Sequence, residues 1–184
     1  MFRLAAIFAM VAGAAIAQED GPGPNLVIEV AGEANGRIVI DLLPDVAPLH
    51  VEQITTLASS GEYDDVTFHR VIAGFVAQTG DMEFGKASDY SLSAGRGGSD
   101  LPNIPAEFSD IPFDRGIVGM ARSGHPDSAN SQFFITLQPA LHLTGQYTVF
   151  GRVIEGMDVV DMIKQGPSNG LVNKPDTMVS VTVE

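Results

Sequence analysis

The chain has 184 residues and a formal net charge of −13, with 23 acidic and 10 basic side chains. This length suffices for one domain with a sizeable core. The negative charge argues against non-specific binding to nucleic acid and against docking on an anionic membrane, because both need a basic surface. It favours a soluble monomer. The absence of cysteine excludes thiol nucleophiles and cysteine-ligated zinc.

The first 17 residues have the pattern of a secretory signal peptide. Arg3 gives a basic start, residues 4–14 are almost entirely apolar, and Ala15-Ile16-Ala17 is a small-residue cleavage site. The apolar run is shorter than the roughly 20 residues that a membrane-spanning helix needs. We therefore expect cleavage after Ala17 and export to the bacterial periplasm, with an extracellular location as the less favoured alternative.

A flexible lead-in over 18–24 is expected to precede one domain over 25–184. A first helix is predicted over 48–60 from apolar residues at helical spacing, with Asp45 as its cap and Gly61 as its stop. A second helix is predicted over 157–164 on the same grounds. Asn35-Gly36 is typical of a tight turn between two strands. Strands are predicted over 26–30, 37–42, 63–72, 75–79, 116–121, 131–137, 147–154 and 178–183.

This inventory predicts a mainly β fold: a closed eight-stranded antiparallel β-barrel capped by two α-helices. Closure removes the exposed edges of a sheet that has this many strands. The interior of an eight-stranded barrel is just filled by side chains. A binding site is therefore expected on the outer wall.

The segment 131–135 alternates as a strand and places Phe133 and Phe134 on opposite faces. Only one face can point into a barrel, so one of these phenylalanines must lie outside the core. Two explanations remain open, namely burial under a loop or helix and an apolar pocket on the outer wall.

The segment 68–81 carries Arg70 and Gln78 on either side of Gly74. Because glycine disrupts strand alternation, spacing alone leaves open whether these two side chains share a face. The next segment, 82–110, is rich in Gly, Ser, Asp and Pro and predicts a long surface loop. A loop of this length inside a compact domain is more often functional than idle.

These segments resemble the cyclophilin family closely, in order and in register over residues 25–184. The first motif is Phe68-His69-Arg70-Val71-Ile72, Gly74-Phe75, Gln78 and Gly80-Asp81. The second is Gly119-Met120-Ala121-Arg122 followed by Ser131-Gln132-Phe133-Phe134-Ile135. Residues 149–157 resemble the family's late strand and second helix. The resemblance implies the capped barrel and an activity as a peptidyl-prolyl cis/trans isomerase, without a cofactor or metal, on proline-containing polypeptides.

By motif position, the resemblance implies Arg70 as the catalytic arginine, with Gln78 holding it in its working rotamer. The proline pocket would be lined by Phe75, Val76, Phe134 and Leu143. Gln132 would join Gln78 on the polar rim. The edge that pairs with the substrate backbone would be Ala121, Arg122 and Ser123. Gly95 would lie on the loop flanking the residue before proline.

Three positions of the expected binding site depart from the family pattern. Val76 stands where methionine is common, which shortens the pocket floor. His142 stands where tryptophan is common, and that tryptophan contributes strongly to cyclosporin binding. Tyr147 stands where histidine is common. These departures put the affinity for cyclosporin in doubt more than catalysis.

Other functions fit less well. The histidines show no short ligand spacing for a metal, no Gly-x-Ser-x-Gly elbow marks a hydrolase, and 95–98 lacks the Lys-Ser/Thr end of a phosphate loop. The main alternative is a module on the same fold that binds proline segments, or acts as a chaperone, without turnover.

Overall fold

The computed structural model describes residues 19–184, so the predicted signal peptide and its cleavage site lie outside the described residues. The described chain contains two α-helices, α1 (Pro48–Ser59) and α2 (Met157–Met162). All its strands belong to one antiparallel sheet. The strands are β1 (Asn25–Ala31), β2 (Gly36–Leu42), β3 (Val66–Thr67), β4 (Arg70–Ile72), β5 (Val76–Thr79), β6 (Ile117–Met120), β7 (Phe133–Thr136), β8 (Val149–Glu155) and β9 (Thr177–Val183).

The sheet is curled and its strand order is β3-β9-β1-β2-β8-β6-β7-β5-β4. The mainly β fold with two helices is thereby confirmed. The predicted hairpin is also confirmed, because β1 and β2 pair antiparallel with Val30 opposite Gly36. Inward-facing apolar side chains from the strands pack with the buried face of α1, which includes Ile54 and Leu57, into one large core.

The prediction of a single strand over 63–72 is wrong. Asp65 has a positive φ of 66°, and the chain forms a turn before β3. Phe68 and His69 are both fully buried, which breaks the alternation that one regular strand would require. β3 pairs with β9 and β4 pairs with β5, so the sheet has nine strands rather than eight. No ladder joins β3 to β4 within residues 19–184, and a closed barrel stays a prediction.

The sequence predicted that Asp45 caps the start of α1, but this prediction is wrong. The N-cap position is Ala47, which offers no side-chain acceptor. Instead, the Glu107 carboxylate accepts hydrogen bonds from the N–H groups of Leu49 and His50 at 3.2 and 3.1 Å. It also lies 2.6 Å from Nδ1 of His50, whose pKa is lowered by burial. An acidic side chain at this end also suits the helix dipole.

The long loop over 82–110 is confirmed apart from one short 3-10 helix (Ala87–Asp89), and contacts to Asp81, to Asn130 and to α1 hold it in place. The Asp81 carboxylate accepts from the N–H groups of Gly95 at 2.6 Å and Gly97 at 3.0 Å. The Asn130 amide accepts from Ser99 N–H at 2.7 Å and donates to the Leu101 carbonyl at 2.8 Å. Glu107 supplies the third attachment, to α1. The loop therefore forms a defined wall beside the ends of β5 and β7.

Candidate active site

The hairpin of β4 and β5 settles the question that spacing left open. Gly74 lies in the turn with a φ of 66°, and Arg70 stands directly opposite Gln78 in the ladder. Cross-strand partners lie on the same face of a sheet. The guanidinium Nη1 of Arg70 donates to Oε1 of Gln78 at 3.1 Å. The two side chains therefore share the outer face and are in direct contact.

A line of hydrogen bonds runs from Arg70 to the long loop. Nε2 of Gln78 donates to Oε1 of Gln132 at 2.9 Å. Nε2 of Gln132 donates in turn to the carbonyl of Gly97 at 2.8 Å. Each amide accepts on one side and donates on the other, so both have their orientation fixed. The position of the guanidinium is consequently tied to the backbone of the loop.

An apolar pocket of about 220 Å³ opens beside the guanidinium. Phe134 forms part of its wall, stacks on Phe113 with ring centroids 5.6 Å apart, and meets the ring of Tyr147 edge-on at 5.7 Å. The pocket is lined by Arg70, Phe75, Val76, Gln78, Ala121, Arg122, Phe134, Leu143 and Tyr147.

Both explanations for the paired phenylalanines hold in part. Phe133 is fully buried in the main core, while Phe134 belongs to a second apolar cluster on the other face of the sheet. Phe113, from the segment that follows the long loop, covers one side of Phe134. The remaining side of Phe134 faces the apolar pocket.

A larger polar cavity of about 540 Å³ adjoins the apolar pocket and shares Gln78, Ala121 and Arg122 with it. Loop residues form one wall and the segment after β6 forms another. Its other lining residues are Gly95, Arg96, Gly97, Gly98, Ser99, Asn103, Ser123, Ser128, Asn130 and Gln132. Together the two cavities make one continuous groove on the outer wall.

The structure brings the predicted site residues together along this groove. All of them line one of the two cavities except His142, which is exposed and stacks on Phe75 with ring centroids 5.7 Å apart. Ala121 N–H donates to the Gln132 carbonyl and Ser123 N–H donates to Oγ of Ser128. Between them, the N–H of Arg122 makes no hydrogen bond within residues 19–184.

Sequence reasoning missed the structural importance of Asp81 and Phe113. The buried Asp81 carboxylate accepts four backbone hydrogen bonds, two from the loop wall and two from Glu83 and Phe84. An aspartate directly after a strand and a glycine is typical of a side chain that binds its own following backbone. The sequence therefore offered a signal for two of these four bonds. It offered none for the pairing of Phe113 with Phe134.

His69 lies next to Arg70 in the chain but plays a different part. It is fully buried, both ring nitrogens are without hydrogen-bond partners in the described residues, and its ring lies against Gly95. Burial lowers the pKa of His69 to about 4. The ring is therefore neutral at physiological pH, and it adds no second positive charge beside the guanidinium.

Two further properties concern the described residues alone. Within residues 19–184, no group of three or more His, Asp or Glu side chains is placed to hold a metal ion. The helices of that part of the chain are too short or too polar to cross a membrane.

Comparisons with known proteins point to one family. Residues 26–183 match the family model described as cyclophilin type peptidyl-prolyl cis-trans isomerase/CLD. A probable peptidyl-prolyl cis-trans isomerase from Brucella suis is 53% identical over 155 residues, which cover 82% of this chain and 79% of the relative. The crystal structure of cyclophilin AquaCyp293 from Hirschia baltica superposes with a TM-score of 0.73 at 25% identity, covering 90% of this chain and 75% of that one.

A cyclophilin type isomerase from Cryptosporidium parvum, crystallised in the presence of the dipeptide Ala-Pro, has the same fold. Its TM-score is 0.73 at 24% identity, and the match covers 87% of this chain and 98% of that one. The matched family is defined by an enzyme activity, and the Brucella relative is named for the same activity. This chain therefore belongs to the cyclophilin family and is a peptidyl-prolyl cis-trans isomerase.

Proposed function

We propose that this isomerase acts on X-Pro bonds of exported proteins in the periplasm, as a monomer, with Arg70 as its catalytic residue. The observation that carries the proposal is the contact between Arg70 and Gln78 at the mouth of the Phe-lined apolar pocket. The pocket is suited to a proline ring, and the guanidinium is suited to the peptide nitrogen beside it.

The chemistry of the reaction explains why these groups suffice. Rotation about a peptide bond is slow because resonance gives the C–N bond partial double-bond character, with a barrier of about 18–20 kcal/mol. In the twisted state the proline nitrogen regains its lone pair and accepts a hydrogen bond. A donor aimed at that nitrogen stabilises the twisted state selectively, which is the requirement for catalysis. The guanidinium of Arg70 offers several N–H donors in a fixed planar arrangement and can act as that donor.

The lowering of the activation barrier can be divided between the arginine and the apolar pocket. Shortening the exchange time from about 100 s to about 10 ms requires a ten-thousandfold acceleration, or about 5.4 kcal/mol. One hydrogen bond from a charged donor contributes about 1.5–3 kcal/mol. The remainder is assigned to the pocket, which holds the proline ring still and provides a dry setting that favours the less polar twisted amide.

The substrate backbone is proposed to lie along Ala121, Arg122 and Ser123. The free N–H of Arg122 supports this placement, because it is a donor that no group of the described chain uses. A proline-containing segment bound there would reach the apolar pocket on one side and the polar cavity on the other. Cyclosporin is proposed to bind weakly, because His142 supplies a smaller ring than tryptophan at the rim.

Export is proposed from the signal-like first 17 residues. Cell fractionation followed by N-terminal sequencing tests this part. The expected result is a periplasmic protein that begins at Gln18, and a cytoplasmic protein that retains Met1 would contradict it.

Turnover of an Ala-Pro-Phe peptide, measured beside an Arg70→Ala variant, tests the catalytic assignment. We expect fast isomerisation by the parent and a large loss in the variant, while both give the same circular dichroism spectrum. Arg37→Ala is the matched control, because this exposed arginine pairs with Glu184 and does not line the groove. A folded parent that binds the peptide without turnover would support the non-catalytic module instead.

A further inference from the structure

The six arginines of residues 19–184 fall into two groups of three. The first group consists of Arg37, Arg115 and Arg152, and each forms a salt bridge of 2.7–3.0 Å with a carboxylate. The second group consists of Arg70, Arg96 and Arg122, which form no salt bridge within that part of the chain. All three of the second group line the groove. The unneutralised arginines are therefore gathered at the site.

The polar cavity combines two of these arginines, Arg96 and Arg122, with no acidic lining residue at all. This is unusual in a chain with 23 acidic residues and a net charge of −13. Several carboxylates lie near this loop. Asp81 binds four backbone N–H groups, and Glu83 packs against Gly97. Asp127 accepts from the N–H of Ala106, and Asp100 adjoins the lining residue Ser99 in the chain. None of these four side chains lines the cavity. The cavity is thus a local basic patch on an acidic protein.

The partners of Arg122 orient its charge without neutralising it. Its guanidinium donates to the Gln146 carbonyl at 2.9 Å and to the Ser123 carbonyl at 3.0 Å, and it lies 4.5 Å from the ring centroid of Tyr147. All three partners are uncharged. The side chain of Arg96 is exposed and makes no hydrogen bond within the described residues. Both guanidinium groups remain available to an anion.

We propose that Arg96 and Arg122 are specificity-determining residues that favour substrates with an aspartate or glutamate in the segment before proline. The polar cavity meets the apolar pocket at Gln78, Ala121 and Arg122, so a chain whose proline fills the pocket passes neighbouring residues into the cavity. Gly95, which lines the cavity, is expected to flank the residue before proline, and this assigns the cavity to the preceding segment. An acidic side chain there gains two cationic neighbours. The inference rests on the proposed substrate placement, and the experiment separates the two.

The expected effect follows from the size of exposed ion pairs. Such a pair is weak, so replacing glutamine by glutamate in the peptide is expected to raise kcat/KM about threefold. Replacing glutamate by lysine exchanges attraction for repulsion and is expected to lower kcat/KM about tenfold. The negative net charge of the protein acts in the opposite direction at long range, and cannot produce this preference.

The peptides Ac-Glu-Ala-Pro-Phe-NH2, Ac-Gln-Ala-Pro-Phe-NH2 and Ac-Lys-Ala-Pro-Phe-NH2 provide the test. Exchange NMR measures isomerisation directly and avoids a coupled protease with its own charge preference. We expect the order Glu, Gln, Lys at low salt, and a reduced spread at 1 M NaCl, where the Debye length falls to about 3 Å. Arg96→Gln is expected to reduce the Glu-to-Lys ratio, while Arg37→Gln, which changes the net charge equally, retains it.

The outcomes are distinct. Turnover at equal rates for all three peptides would overturn the specificity and leave the isomerase intact. An equal loss of the ratio in Arg96→Gln and Arg37→Gln would show that the ratio responds to any added negative charge rather than to Arg96, and would overturn the role of the cavity. No turnover of any peptide by the folded parent would overturn the proposed activity, and the specificity with it.

Discussion

The contact between Arg70 and Gln78 yields a quantitative prediction about how the two residues cooperate. In Gln78→Met the side chain keeps its approximate length and loses both amide hydrogen bonds, of which the bond from Arg70 is 3.1 Å long. Arg70 is only partly buried, so water can replace the lost acceptor and the bond is worth about 1 kcal/mol, less than a bond from a charged donor in a dry site. We therefore expect kcat/KM to fall about fivefold. Arg70→Ala removes the charged donor itself, and is expected to lower kcat/KM about 10- to 150-fold.

The double variant distinguishes positioning from an independent contribution. If Gln78 acts only by holding Arg70, then Gln78→Met has no further effect once Arg70 is alanine. The double-mutant cycle is expected to give a coupling energy of about 1 kcal/mol. Exchange NMR on an Ala-Pro peptide supplies the four rates, and Gln138→Met, an exposed glutamine outside the groove, is the matched control. A further fivefold loss on the alanine background would refute the positioning role.

Three other predictions concern stability and inhibitor binding. Asp81→Asn leaves one oxygen for four N–H donors and is expected to lower the free energy of unfolding in urea by about 3 kcal/mol. The pKa of His69 is about 4 in the folded protein and 6.5 in the unfolded chain. Between pH 4 and pH 6.5 the unfolded state therefore binds more protons than the folded state. The free energy of unfolding of the parent, relative to that of His69→Gln, is therefore expected to fall by about 3 kcal/mol from pH 7 to pH 4. If this difference does not change with pH, the His69 ring is not held in its neutral form by burial. In His142→Trp the larger ring is expected to tighten cyclosporin binding at least about tenfold, measured by calorimetry.

Local patterns were enough to predict most of the fold. The hairpin around Asn35-Gly36 and the amphipathic face of α1 depend on residues that are close in the chain, and the structure has both. The alternation over 131–135 correctly separated Phe133 from Phe134. These features follow from turn chemistry and from the side-chain periods of strands and helices.

Two of the features that the sequence did not predict share a physical cause, which is that the deciding contact comes from a distant part of the chain. The sequence favours Asp45 as the cap of α1, yet Glu107 from the long loop accepts the hydrogen bonds at the start of the helix. The pairing of Arg70 with Gln78 is different, because it is local and depends on the turn at Gly74, which spacing could not predict. Phe113 reaches Phe134 from another segment. The roles of the site residues stay predictions until the variants are measured.

The attachments of the long loop have a consequence for the order in which the protein folds. The β4–β5 hairpin closes within ten residues, so Arg70 and Gln78 can meet early. The polar cavity cannot form at that stage, because Asn130 holds Ser99 across 31 positions and Glu107 holds His50 across 57. Such distant contacts carry a larger loop-closure entropy and form later. A nascent chain would therefore form the pair of Arg70 and Gln78 before it forms the loop wall of the polar cavity.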